Sequence, residues 1–313
     1  MNNDLYPMNA AEIMDRAVYV YKKSFWKQLA FAAIFGVISY VASTILSFVF
    51  PMLMAFFLAF NPAFTGGLVH GIGTIISMTL LVLVVVFFFV FLWYAISSAG
   101  HSIIAGPVFF GYKAKFPFKQ LPRMVGRIFC TLLAKTIASL PFVGIAVLFA
   151  VSGMFQTLIA WAPWVFVLVS FILLVIYLLY LNVFSLSIAV AVFERKTFFN
   201  ALIRSWQLIN GEYWKIAGMR LVWLLLTGII YTALAGVMVL ATVLAVSIVT
   251  SLDMGVAGVI IIGITTILTV LITFAASFMI GPLDGVFHTT LYFNQRIKRE
   301  GLDIESRLGR LSL

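Results

Sequence analysis

The sequence predicts an all-α fold, a polytopic membrane bundle of about six transmembrane helices with amphipathic helices along one face. Three observations predict it. Of 313 residues, 64% are hydrophobic and 10% charged, whereas a soluble domain carries about 25% charged residues. A water-soluble surface of this size cannot be coated with so few charges. The apolar residues also fall into six blocks, each reaching the roughly 20 residues that a helix needs to cross a bilayer. Finally, all 20 lysines and arginines fall on one side of a six-span arrangement.

The blocks run over 29–50, 68–97, 129–151, 164–189, 221–250 and 256–281. Spans one and two thus occupy 29–97, spans three and four 129–189, and spans five and six 221–281, with a tail over 292–313. The segment before the first block is interrupted by Asp4, Glu12, Asp15 and Arg16. It lacks the continuous apolar core of a cleaved signal, so the first span is expected to remain as an anchor.

The cations sit before span one, between spans two and three, between four and five, and after span six. Lys135 and Arg220 lie just inside spans three and five, where long side chains can carry their charge back to the interface. The alternate connections, 51–67, 152–163 and 251–255, contain none. Positive charge orients membrane proteins toward the cytoplasm. The expectation is a multi-pass protein of the cell (plasma) membrane of a bacterium, with both termini cytoplasmic. The net charge of +10 is then a topology signal and a contact for anionic lipid on the cytoplasmic face. No nucleic-acid-binding motif accompanies it.

Residues 9–27 read as an amphipathic interfacial helix, capped by Asn9 with Glu12 three residues on, or as a simple lead-in to span one, and the two readings are compatible. Met14, Ala17, Tyr21 and Phe25 form one face, and Glu12, Asp15, Arg16, Tyr19 and Lys23 the other. Residues 197–209 form a second, striped by Phe199, Leu202, Ile203, Trp206 and Ile209 and ended by Asn210-Gly211. Residues 116–127 form a basic-aromatic third element, in which Pro117 and Pro122 limit helicity. An offset of 188 residues lays Arg16 on Arg204, and Phe25-Trp26-Lys27 on Tyr213-Trp214-Lys215. It also lays spans one and two on spans five and six, a pattern expected of a parallel duplication.

Two motifs carry a family resemblance. One is Ala201-Leu202-Ile203-Arg204-Ser205-Trp206-Gln207-Leu208, followed by Tyr213-Trp214-Lys215. The other is Leu291-Tyr292-Phe293-Asn294-Gln295-Arg296-Ile297-Lys298-Arg299-Glu300-Gly301-Leu302-Asp303. Together they resemble the membrane domain of some glycerophosphoryl diester phosphodiesterases and its stand-alone bacterial relatives. The family tail usually has an aspartate where this chain has Asn294. The resemblance implies an α-helical membrane domain. It does not imply phosphodiesterase activity, which belongs to a separate soluble domain of the family.

No catalytic constellation is visible. His70, His101 and His288 are far apart in sequence, and no zinc-protease motif, phosphate-binding loop or nucleophile elbow occurs. One cysteine, Cys130, permits neither an internal disulfide nor a cysteine cluster. The expectation is therefore a non-enzyme with no cofactor and no metal. The candidate functional polar residues are Asp284 and His288, four apart and so on one helix face, with His101, which nearly matches His288 at an offset of 187. Gly281-Pro282 ahead of them suggests a helix break, which Asp284 would cap. Pairing of Asp284 with Arg220 is the other structural reading.

Polar specificity otherwise concentrates outside the spans. Arg204, Trp206, Trp214, Arg296, Lys298, Arg299, Glu300 and Asp303 are the candidate interface for lipid or for a membrane or cytoplasmic protein partner. Two functions fit this distribution. A scaffold or accessory subunit would use the basic face. A small transporter or channel would use the spans, and their scarcity of ionisable residues points to an apolar or lipid-like substrate.

Overall fold

The computed structural model describes residues 6–60, 89, 92–114, 116, 121–153, 162–251 and 255–301. Among the described residues the chain is all-helical. The helices are α1 (Ala10–Phe60), α2 (92–109), α3 (Leu121–Gly153), α4 (Ala162–Val183), α5 (Ser187–Phe193), α6 (Phe199–Ile209), α7 (Tyr213–Ser251) and α8 (Gly255–Glu300). Five described stretches are long and apolar enough to cross a membrane: Ala10–Val49, Met124–Phe142, Phe171–Phe193, Tyr213–Ser251 and Gly255–Glu300. Most of the expected second span lies outside the described residues, and α2 includes its end.

The first interfacial helix does not exist as a separate element. Asn9 and Glu12 do exchange reciprocal backbone hydrogen bonds of 2.9 Å, but the helix they start continues unbroken for 51 residues. Its amphipathic first part is covered by protein rather than left on a surface. Ile13, Arg16, Ala17, Val20, Ser24 and Gln28 are all buried. The Met8 N–H donates to Asn294 Oδ1 on α8 at 2.8 Å.

In the basic-aromatic segment α3 starts at Leu121, and Pro122 falls in its first turn, where its missing N–H costs nothing. Two other expectations change. The fourth apolar block is broken, with α4 ending at Val183 and a turn over 184–186 leading into α5. Gly281-Pro282 breaks nothing, because α8 runs through both residues. Pro282 cannot donate to the Phe278 carbonyl, and the Tyr21 hydroxyl donates to the neighbouring Met279 carbonyl.

The core gathers at one end of the long helices, the end bearing most of the described cations. There the start of α1, the end of α2, α5, α6, the start of α7 and the end of α8 enclose Phe31, Phe109, Ile216, Phe287 and Tyr292. Ala95, Ala99, Ile103, Ile128 and Leu132 join α2 to α3 and α5 in a second cluster. Away from this end the helices expose Val237, Leu240, Val259, Ile267 and many other aliphatic side chains. Close approaches rely on missing Cβ atoms: one built on Gly36 would meet the Phe278 ring, and one on Gly100 the Phe31 ring. Phe35 stacks on Trp93 at 3.9 Å, and Trp223 stacks on Phe287 at 4.6 Å.

Candidate functional site

His101 sits on α2, is 4% exposed, and faces Gln28 on α1. The Gln28 Nε2 donates to the His101 carbonyl at 3.2 Å, which orients the amide and leaves Gln28 Oε1 as an acceptor. His101 Nδ1 lies 2.6 Å from that oxygen, so Nδ1 carries a proton, and in the neutral imidazole Nε2 then keeps a bare lone pair. The Phe31 ring meets the imidazole edge-on at 5.2 Å.

From α8, Asp284 and His288 approach the same place. His288 Nε2 is 3.6 Å from Asp284 Oδ2, and the aspartate side chain is 58% exposed. His288 Nδ1 is buried without a hydrogen-bond partner. A Cβ on Gly285, between them in sequence, would stand 2.8 Å from His101 Cβ. The glycine lets the two helices approach closely, and the three residues singled out from sequence come together.

They line a small cavity of about 60 Å³ with Tyr94, Ser97, Ser98 and Ser102, closed by Ile188 and Ala189 of α5. Ser97, His101 and Gly281 also line a larger crevice of about 470 Å³ between α1, α2 and α8. Phe35, Tyr40, Trp93, Phe274 and Phe278 give its walls an aromatic part. Asp284 does not cap a helix, since α8 is continuous, and no ion pair within 4 Å joins it to Arg220. Arg220 instead donates to Asn182 Oδ1 at 3.0 Å and to the Leu181 carbonyl at 3.3 Å. Lys135 and Arg220 still stand close enough to act electrostatically on the Asp284–His288 pair.

Half of the expected interface residues, Arg204, Arg296, Lys298 and Glu300, are held in ion pairs within the chain. Glu194, after α5, accepts from Arg204 Nε at 2.8 Å and from the Tyr292 hydroxyl at 3.0 Å. It also pairs with Lys196 at 3.4 Å and Arg296 at 3.9 Å. Glu300 closes the network by pairing with Arg204 and, at 2.7 Å, with Arg296. Glu212 takes Lys298 at 3.1 Å and Gln295 at 3.3 Å. Burial raises the Glu212 carboxyl pKa, but the hydrogen bonds from Lys298 and Gln295 and the charges of Lys298 and Lys215 outweigh it, so the pKa lies below its ordinary value. Trp206, Trp214 and Arg299 remain exposed, and Asp303 lies outside the described residues.

Sequence reasoning missed Gln28, Tyr94, Asn182 and Glu194. Gln28 and Asn182 had a signal, being amides at or within apolar blocks. Glu194 had none, because its partners are distant in sequence. Asn294 also gains a meaning: its oxygen holds the Met8 N–H, an acceptor role that a carboxylate could fill equally.

His70 lies outside the described residues. Among those described, no three histidine, cysteine, aspartate or glutamate side chains gather around a point fit for a metal ion. No family model, curated protein or solved structure matches the chain.

Proposed function

We propose that the chain is a non-enzymatic multi-pass membrane protein, related to the phosphodiesterase membrane domains it resembles. Both termini lie in the cytoplasm, and the basic face engages lipid as part of a scaffold or accessory subunit. The observation that carries this reading is the outer ridge of α6. Ala201, Leu202, Ser205, Leu208 and Ile209 are buried against the core, while Phe199, Ile203 and Trp206 are 43%, 54% and 48% exposed. A helix already packed by one face gains nothing in water from a second apolar face. At a membrane interface that face is covered. Trp26 and Trp214, 78% and 76% exposed beside Lys27 and Lys215, suit the same depth, where indole rings anchor.

Two measurements test this. In a Cys130→Ser background, single cysteines replace Lys113, Asn210 and Met254. A membrane-impermeant maleimide on intact cells is expected to label only position 254, and labelling at 113 or 210 overturns the topology. Mild-detergent purification is expected to recover anionic lipid or a stoichiometric protein partner, both depleted by Ile203→Glu with Trp206→Glu. Equal recovery from the double variant removes the basic face from the proposal.

The aromatic crevice between α1, α2 and α8 favours a second reading, a small transporter or channel for a lipid-like substrate. Substrate flux in proteoliposomes, abolished by Asp284→Asn, would support it. No flux across a panel of lipids and solutes would leave the first reading alone.

A further inference from the structure

Hydroxyls on apolar helices usually return to their own backbone three or four residues back. This chain follows that habit widely, as at Ser24, Thr44, Ser98, Thr136, Thr227 and Thr290. Ser39, Ser97 and Ser102 are among those that depart from it, as Ser185 does elsewhere. Among the described residues these three hydroxyls make no hydrogen bond, and each lines the crevice or the small cavity joined to it. His101 Nε2, on a ring shared by both spaces, and the unpartnered His288 Nδ1 of the small cavity are further uncommitted polar groups. The crevice also has length. On α1 its lining runs from Ala32 to Ser43, about 16 Å of helix at 1.5 Å per residue.

We infer that this crevice binds a neutral amphiphile, with its hydrocarbon tail along the aromatic wall and a hydroxyl-bearing head at Ser97, His101 and Ser102. Charge selects the head. No lysine or arginine lines either space, and Asp284 lines the inner one. Asp284 in the inner lining is offset by Lys135 and Arg220, which act on the Asp284–His288 pair from α3 and α7, so neither an anionic nor a cationic head meets an unopposed counter-charge. A neutral alcohol can donate to His101 Nε2 and accept from the serine hydroxyls. Monoacylglycerols and long-chain alcohols have this chemistry. The inference rests on the chain being seated in a membrane, but not on its being a scaffold or a transporter.

The test uses the full chain in zwitterionic nanodiscs with a monoacylglycerol carrying a photoreactive group in its acyl chain. Crosslinks are expected on residues 32–43, 93–102 and 274–282. They should be competed by unlabelled monoacylglycerol and by a long-chain alcohol, but at least tenfold more weakly by phosphatidic acid or a long-chain amine. Ser39→Phe, which fills the crevice, is expected to abolish specific labelling. The milder pair Ser97→Ala with Ser102→Ala removes two hydroxyls at little risk to folding, and should weaken alcohol competition by about threefold to tenfold, the scale of a lost neutral hydrogen bond. Labelling spread along the exposed faces of α7 and α8, equal competition by the anionic or cationic amphiphile, or indifference to both variants overturns the site. Release of the chain from membranes by alkaline extraction would instead overturn the seating beneath it. Retention without labelling overturns the site alone.

Discussion

Arg16 Nη2 on α1 donates a 2.8 Å hydrogen bond to the carbonyl of Phe109, at the last turn of α2. Two neighbouring carbonyls are already used. Gly111, at φ 84°, lets its N–H reach Val108 and the N–H of Tyr112 reach Pro107, the usual Schellman closure. Arg16 takes the Phe109 carbonyl and places a cation at the negative end of the helix. The side chain is 4% exposed, so no water replaces it when it is removed. Arg16→Met, close in volume, is expected to lower stability by about 1.5–3 kcal/mol, the range for a charge-assisted hydrogen bond. Arg16→Lys should recover part of the loss. Thermal unfolding in detergent checks this, and an unchanged Tm for the methionine variant would remove the bond from the account.

Gly285 offers a second test, this time of the helix contact beneath the candidate site. Gly285→Ala places a methyl where His101 Cβ stands 2.8 Å away. A Cβ cannot swing aside as a side-chain tip can, so α2 and α8 must part. The expected cost is about 1–3 kcal/mol, as for other overpacked contacts, together with loss of the His101–Gln28 pairing geometry. Gly218→Ala, where nothing lies within 4 Å, is the control and should leave the Tm unchanged or slightly raised.

Much of the helical framework was legible because apolar run length is a local property. So was the pairing of Asp284 with His288, which follows from helical spacing. Local pattern does not say what covers a face, and residues 9–27 show this. An apolar stripe ending in Tyr21 and Phe25 looks the same whether lipid or protein lies over it. Arg16, Ser24 and Gln28 are buried because α2 and α8 return to cover them from distant parts of the chain. The same limit hid Glu194. Its carboxylate was one acid among many cations, and only the fold brings Arg204, Tyr292 and Arg296 to it.

That convergence makes Glu194 the most connected acid on the basic end. Its side chain is 10% exposed, so its loss leaves Arg204 and Arg296 short of a counter-charge where water reaches poorly. Glu194→Gln is expected to loosen the end of α8 from the α5–α6 turn and to raise the rate of proteolysis beyond Glu300. Glu194→Gln with Arg204→Met removes both members and should be less damaging than the sum of the single changes, since a lone buried charge costs more than an absent pair. Strict additivity in a double-mutant cycle would deny the coupling.

Glu212 sets a pH dependence whose sign is determined. Its folded carboxyl lies below the ordinary carboxylate value, because the Lys298 and Gln295 hydrogen bonds and the Lys298 and Lys215 charges overcome the opposing effect of burial. The unfolded chain therefore takes up this proton at a higher pH than the folded chain. The contribution to stability is fully present above the unfolded value and is lost as pH falls through the folded one. Lowering pH from neutrality is expected to leave the Tm almost unchanged until the carboxylate range and then reduce it. Glu212→Gln, which cannot titrate, should start lower at neutral pH and lose less across that acidic range, so the two curves converge. The side chain is 29% exposed, so water screens the pairing in part, and the separation will be small and should shrink in high salt. Parallel curves at every pH would show that Glu212 contributes through packing rather than charge.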